Sequence, residues 1–268
     1  MRLLFVGDVV GKPGREAART LLPRLIDRHR ADYVVVNVEN AAGGFGVTPE
    51  VLAELAELPI DCFTTGNHIW DKKEGVDLLD LEPRLLRPAN YPDGNPGKGL
   101  HLGETAAGVP VATLNLEGQV FMHNLDSPFR VADRLLASLP AEVRVVLVDF
   151  HADATSEKQA LAFYLDGRVS AVLGTHTHVP TADERVLSGG TALLTDVGMT
   201  GPYESIIGMR ADKVLKRFLL QTPAPFEVAK RDVRLAAAVV DVDESTGRAR
   251  GIERLLVPLL GPPAPGSS

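Results

Sequence analysis

Cysteine is nearly absent from this sequence. Cys62 is the only one in 268 residues, which excludes an internal disulfide and any thiolate-built zinc cluster and fits a reducing compartment. Long apolar runs are missing too: no window approaches the roughly 18 residues needed to span a bilayer. Asp8 interrupts the N-terminal "MRLLFVGDVVG" too early for a secretory h-region. Nor is there a basic excess. With a formal charge of -7, the chain has no patch able to hold long nucleic acid by counterion release. These absences predict a soluble cytoplasmic protein with no membrane contact and no stable long nucleic acid partner, and they leave a homo-oligomer open.

What is present is ordinary for a globular protein: 45% apolar and 24% charged residues, in a length suited to one large domain. Short apolar runs alternate with segments of helical period, the pattern of an α/β layered domain. The runs are "LLFV" (3–6), "YVVVNV" (33–38), "CFTT" (62–65), "VATLNL" (111–116), "RVVLVDF" (144–150), "VSAVL" (169–173) and "TALLTDV" (191–197), followed by "RLAAAVVDVD" and "IERLLVPLL". Their Val, Leu and Ile content predicts strands covered on at least one face.

Three helices are signalled. "GREAARTLLPRLIDRHR" has helical spacing, with Pro23 expected to kink or divide it. Thr48, Pro49 and Glu50 start a second with an N-cap, a first-turn proline and an early acid. Ser156 and Gln159 make a capping-box pattern before "ALAFYL". Residues 1–258 are expected to form one domain. Within it, about 71–130 is rich in Pro, Gly, Asn and Asp and is expected to include an irregular cap or lid. Residues 259–268 are expected to be a disordered tail.

Polar residues follow these runs with unusual regularity. "LLFV" leads to Gly7 and Asp8, "YVVVNV" to Glu39 and Asn40, "CFTT" to Gly66, Asn67 and His68, "RVVLVDF" to His151, and "VSAVL" to Gly174, His176 and His178. Each has a local explanation of its own as a turn residue, a cap or a satisfied core histidine. No folding requirement, however, places carboxylates, amides and imidazoles after five separate strands. In α/β sheets the carboxyl ends of strands form the ligand-binding edge, so these groups are expected to converge.

Oxygen and imidazole donors without sulfur suit first-row ions such as Mn, Fe or Zn better than a pure Ca or Mg cage. Asp8, Glu39, Asn40, Asn67, His151, His176 and His178 outnumber the ligands of one ion. Two ions about 3.5–4 Å apart, sharing Glu39 and a water-derived hydroxide, would use all seven. His176 and His178 point the same way if their segment stays extended, and each then serves one ion. Two divalent ions, two carboxylates and a hydroxide sum to about +1, a cationic pocket for an anion. Such sites polarise phosphoryl oxygens, and the leaving alkoxide still needs a proton. His68, beside Asn67, is the candidate general acid, because imidazoles as a class titrate near neutrality.

At these residues the chain resembles the calcineurin-like metallophosphoesterases, whose motifs run Asp-x-His, Gly-Asp-x-x-Asp, Gly-Asn-His, a later His and Gly-His-x-His. The corresponding stretches are "GDVV", "NVENAAGG", "TGNHIWD", "VDFHADATSEKQA" and "GTHTHVPTAD". Val10 stands where the superfamily has a ligating His, and Glu39 followed by Asn40 where it has a bridging Asp. The same substitutions, with "GDVVGKPGR", "ENAAGG", "GNHIWDKKE", "RPANYP", "TSEKQA", "GTHTHV" and "DVGMTGPYESIIGM", resemble the bacterial YmdB-like subfamily from Met1 to about Val228.

The resemblance implies a two-sheet α/β sandwich flanked by helices, carrying a dinuclear iron or manganese centre. It implies hydrolysis of small cyclic phosphodiesters, foremost 2',3'-cyclic nucleotides at the 2' ester, with some action on 3',5'-cyclic nucleotides. Carried over, Asp8, Glu39, Asn40 and His178 look like ligands of one ion and Glu39, Asn67, His151 and His176 like those of the other, with His68 as proton donor. Alternatives are a phosphomonoesterase on the same site, a nuclease, and a regulatory protein that binds nucleotide without turnover.

Other features carry less. "GDVVGKPGR" is not a phosphate loop, since three residues rather than four separate its glycines and Pro13 follows the lysine. Asp149, Asp153 and Asp196 are candidates for orienting ligating imidazoles, although caps and turns explain them equally well. Thr175, Thr177, Met199 and Thr200 are weak candidates for lining a substrate pocket. His29 is expected on a solvated helix face, His101 and His123 in the cap, and Cys62 in the core.

Overall fold

The computed structural model describes residues 1–260. In chain order the strands are β1 (Arg2–Val6), β2 (Tyr33–Asn37), β3 (Cys62–Thr64), β4 (Leu100–Glu104), β5 (Pro110–Glu117), β6 (Val145–His151), β7 (Ala171–Thr175), β8 (Arg185–Val186), β9 (Ala192–Leu194), β10 (Gly201–Pro202), β11 (Val233–Val242) and β12 (Ala249–Pro258). The α-helices are α1 (Gly11–His29), α2 (Pro49–Ala56), α3 (Lys73–Leu81), α4 (Pro128–Ala137), α5 (Thr155–Tyr164) and α6 (Ala211–Leu220), and a 3-10 turn covers Asn67–Asp71.

Two mixed sheets result. One is ordered β10-β11-β1-β2-β3 with β12 along β11, and the other β4-β5-β6-β7-β9-β8. The period-2 geometry of a strand explains why its apolar runs are continuous: both faces are covered. Leu3 and Phe5 of β1 pack between the sheets with Val35, Val145, Leu147 and Leu173. Leu4 and Val6 point the other way, against Ala17, Ala18, Leu21 and Leu22 of α1. Val146, Val148 and Phe150 of β6 likewise pack on Val131, Ala132, Leu161 and Ala162 of α4 and α5. The order of layers is helix, sheet, sheet, helix.

Strands β1, β2 and β3 run parallel, as do β5, β6, β7 and β9. Within each sheet the carboxyl ends of these strands therefore share one edge.

Several local expectations need correction. Helix α1 continues unbroken through Pro23. Ser156 and Gln159 make no capping box, because α5 starts at Thr155 behind Ala154, which donates no side-chain cap. Thr48 does cap α2, accepting from the Val51 amide at 3.4 Å. The stretch 71–130 contains regular structure: α3, β5, the start of α4, and β4, which pairs antiparallel with β5 as an edge strand. Within that stretch, His101 lies on β4. The expected tail lies, from residue 261, outside the described residues.

Candidate metal centre

Every group singled out at a strand end arrives at one place. Glu39 Oε2 lies 3.2 Å from His151 Nε2, Asn67 Oδ1 3.1 Å from the same nitrogen, and His176 Nδ1 3.0 Å from it. On the other side, Asn40 Nδ2 stands 2.9 Å from Glu39 Oε1 and 3.0 Å from His178 Nε2. Two sets of donors result, Glu39 with His151 and His176, and Asp8 with Glu39 and His178, each set having its donor atoms within 4.8 Å of one another. Glu39 belongs to both.

His176 and His178 do not reach the two sets by staying extended, as the spacing alone suggests. Strand β7 ends at Thr175, and the two histidines have φ of 96° and 68°, left-handed values that non-glycine residues seldom adopt. That conformation turns the rings toward different sets.

Neighbouring groups fix which nitrogen each imidazole offers. Thr175 Oγ1 donates its one hydrogen to Asp149 Oδ1 at 2.7 Å, so it must accept from His151 Nδ1 at 2.8 Å, which aims Nε2 into the site. Asn37 donates to the other oxygen of Asp149 at 2.9 Å. The Ile207 carbonyl, 2.9 Å from His178 Nδ1, can only accept, so Nε2 of that ring also faces inward. Asp149 thus acts on His151 through Thr175, which is fully buried rather than open to substrate.

Gly66 makes the approach possible. A Cβ there would overlap the His151 ring and Glu39 Oε2. The close contact explains why glycine follows β3.

The electrostatics are those of a site built to hold positive charge. Burial alone would raise Glu39, but the charge and hydrogen bond of His151 hold its carboxyl far below the usual range. Burial likewise would depress His151, yet Glu39 outweighs it and pushes the imidazole up to about 9. Burial lifts Asp8 to about 6 against the pull of His178 and His151, and Asp8 Oδ1 is buried with no hydrogen-bond partner. Burial, reinforced by the His151 charge, lowers His176 to about 3.

Around His151 Nε2, three further lone-pair donors stand 3.0–3.2 Å away, and a single N–H proton can satisfy only one of them. Adjacent donors about 2.1 Å from an octahedral cation are separated by roughly 3.0 Å, so the spacing fits such an ion.

His68 stands at the edge of this cluster. Its amide donates to Glu39 Oε2 at 3.3 Å, and its ring Nδ1 meets Asp71 Oδ2 at 2.8 Å. The cluster opens into a cleft of about 740 Å³ lined also by Asp153, Thr177, Phe45, Ile207, Met209 and Phe226. Met199 and Thr200 are buried outside it: Thr200 Oγ1 bonds the Ala236 carbonyl at 3.3 Å. Asp196 bonds Thr177 and Lys158 rather than an imidazole.

From the 71–130 stretch, buried Glu117 at the end of β5 binds His123 at 3.2 Å, and Tyr91 packs edge-on to Trp70. Sequence reading missed Asn37, Lys158, Ile207 and Phe226. Asn37, Lys158 and Ile207 lay inside quoted stretches, but nothing local marked their roles, and Phe226 lay outside every one.

Similarity to known proteins agrees with this geometry. The chain is 48% identical over 257 residues, 96% of it and 97% of the relative, to the 2',3'-cyclic-nucleotide 2'-phosphodiesterase of Bacillus subtilis (strain 168). A crystal structure of a hypothetical protein from Thermus thermophilus superposes with a TM-score of 0.90 at 46% identity, covering 96% of this chain and 99% of that one. A crystal structure described as a novel phosphatase, from Mycoplasma pneumoniae, superposes with the same score at 33% identity, covering 96% and 93%. Residues 4–255 match the YmdB-like protein family. The chain belongs to that family.

Proposed function

We propose that the protein is a metal-dependent phosphodiesterase that hydrolyses small cyclic phosphodiesters, foremost 2',3'-cyclic nucleotides at the 2' ester. The observation that carries this reading is the pair of donor sets joined at Glu39. The name of the Bacillus subtilis relative supplies the substrate class. Asp8, Glu39, Asn40 and His178 would hold one ion, with the Asn40 amide turned to offer its oxygen, and Glu39, Asn67, His151 and His176 the other. Oxygen and imidazole donors without sulfur suit first-row ions such as manganese, iron or zinc, and the family resemblance favours iron or manganese among them.

Ions held there would supply polarisation of the phosphoryl oxygens and a hydroxide at neutral pH. The residues of the chain do the rest. Asp71 holds His68 at Nδ1, which leaves Nε2 to give its proton to the departing 2' oxygen. The P–O2' bond breaks, the oxygen of water joins phosphorus, and the 3'-phosphate nucleotide is the product. Thr175 and Ile207 keep His151 and His178 in the tautomer that offers Nε2.

No described helix is long and apolar enough to cross a membrane. One buried cysteine fits a cytoplasmic setting.

The test is elemental analysis of anaerobically purified protein, combined with turnover of 2',3'-cyclic nucleotides, bis-p-nitrophenyl phosphate and phosphomonoesters. We expect about two ions per chain and faster turnover of diesters. Faster turnover of monoesters would make the protein a phosphatase on the same site. No turnover by fully metallated protein would make it a nucleotide-binding regulator.

A further inference from the structure

The cleft has two chemically different ends. One holds the buried carboxylates and imidazoles, and the other is apolar and aromatic, with Phe45, Phe218, Phe226, Ile207 and Met209 on its wall. Phosphate chemistry gives no use for that second end. A folding explanation fails as well, because Ile207, Phe218 and Phe226 remain 51%, 69% and 43% exposed. Scattered exposed apolar residues are ordinary, but a contiguous set on the wall of a reaction cleft marks a ligand surface.

The arrangement of rings is specific. Phe45 meets the His68 ring edge-on with centroids 5.0 Å apart, which ties the wall directly to the proposed proton donor. Phe226 lies 5.9 Å from Phe45, tilted by 52°. The Arg217 guanidinium sits 4.9 Å over the Phe226 ring and covers one of its faces. Arg217 belongs to α6 and lines the cleft beside Phe226, so the helix helps hold the ring on the wall.

We propose that this wall, centred on Phe226 and Phe45, is a nucleobase-stacking subsite, so that the base of a nucleotide lies against it while its phosphate reaches the donor cluster. The inference rests on the phosphodiesterase reading for the identity of the phosphate end. Stacking on phenylalanine uses the π-face that every base shares, and Phe45 and Phe226 have no polar atoms to read a base edge. The subsite therefore accepts all four bases, with purines held more tightly than pyrimidines because their faces are larger.

The experiment compares wild type, Phe226→Ala and Phe226→Tyr on 2',3'-cyclic AMP and on glycerol 1,2-cyclic phosphate, a cyclic diester without a base. It also titrates metal-loaded protein with adenosine 3'-monophosphate and with glycerol 1-phosphate by calorimetry. We expect Phe226→Ala to lower the preference for the adenine diester, expressed as a ratio of kcat/KM values, by roughly 5- to 100-fold, mainly through KM. The same variant should lose a similar factor in affinity for adenosine 3'-monophosphate, and Phe226→Tyr should restore both.

An unchanged preference and unchanged nucleotide affinity in Phe226→Ala would overturn the subsite. The two readings fail separately. If wild type turns over neither diester but binds adenosine 3'-monophosphate in a Phe226-dependent way, the hydrolytic reading falls and the subsite stands. If it turns over both diesters without regard to the base, the reverse holds.

Discussion

Lys158 Nζ donates to Asp196 Oδ2 at 2.7 Å, and both side chains are only 2% exposed. The same carboxylate oxygen accepts from Thr177 Oγ1 at 2.7 Å and from the Thr177 amide at 3.2 Å, while Oδ1 accepts from the Gly198 amide at 2.8 Å. Thr177 separates the two left-handed histidines. The ion pair therefore pins the middle of the turn whose ends aim His176 and His178 at different donor sets.

Breaking that pair should be costly. Lys158→Met leaves a buried carboxylate without its counter-charge, a change typically worth about 3–5 kcal/mol of stability. Urea denaturation of the metal-free variant should show this loss. Thr177→Val removes one hydrogen bond and should weaken metal retention more than it weakens folding. Equal metal affinity in wild type and Thr177→Val would mean that the turn holds itself without Asp196.

Glu39 is the one side chain common to both donor sets. Glu39→Gln should therefore lower metal content toward zero, whereas His176→Ala, which touches one set, should leave about one ion by elemental analysis. Equal losses in the two variants would remove Glu39 from its shared position.

Gly66→Ala offers a test free of any change in charge. The added methyl would collide with His151 and Glu39 Oε2. Two rigid, buried groups must then separate, so we expect loss of metal binding and a lowered Tm. A variant that binds metal normally would show that the close approach is not needed.

His68→Ala should separate chemistry from metal binding. Removing a general acid lowers turnover by roughly 10²-fold or more, while metal content should stay near the wild-type value because the His68 ring is bonded to Asp71 and not to the donor cluster. Unchanged kcat would reject the proton-donor role.

Metal uptake should depend on pH with a definite sign. In the metal-free protein Glu39 holds His151 protonated up to about pH 9, overcoming burial, and a cation must displace that proton from Nε2. Affinity for Mn²⁺ should rise by up to about tenfold per pH unit as pH increases toward 9, and level above it. Below about 6, protonation of Asp8 should weaken binding further.

The linkage to folding has the opposite sense. Because the folded pKa of His151 lies above its ordinary value of about 6.5, its pairing stabilises the metal-free fold fully below that value. The contribution is lost as pH rises through about 9. Calorimetry at pH 7.5 in two buffers of different ionisation enthalpy should detect about one proton released on metal binding. Identical heats in the two buffers would contradict the Glu39–His151 pairing.

By itself the sequence determined the strands and the identity of the donors. Runs such as "YVVVNV" and "RVVLVDF" are legible because strands buried on both faces need continuous apolar residues. Asp8, Glu39, Asn67, His151, His176 and His178 were visible because each follows such a run or comes within a few residues of one, and parallel strands bring their carboxyl ends to one edge.

Pattern could not supply what depends on contacts between distant parts of the chain. The left-handed backbone at His176 and His178, the Asp196 carboxylate that pins Thr177 between them, and the Ile207 carbonyl that sets the His178 tautomer come from segments joined only by folding. The aromatic wall joins Phe45, beyond β2, to Phe226, beyond α6, and no local periodicity encodes that meeting. Local spacing fixes which residues follow a strand, while the direction in which each points is set by neighbours that only tertiary packing supplies.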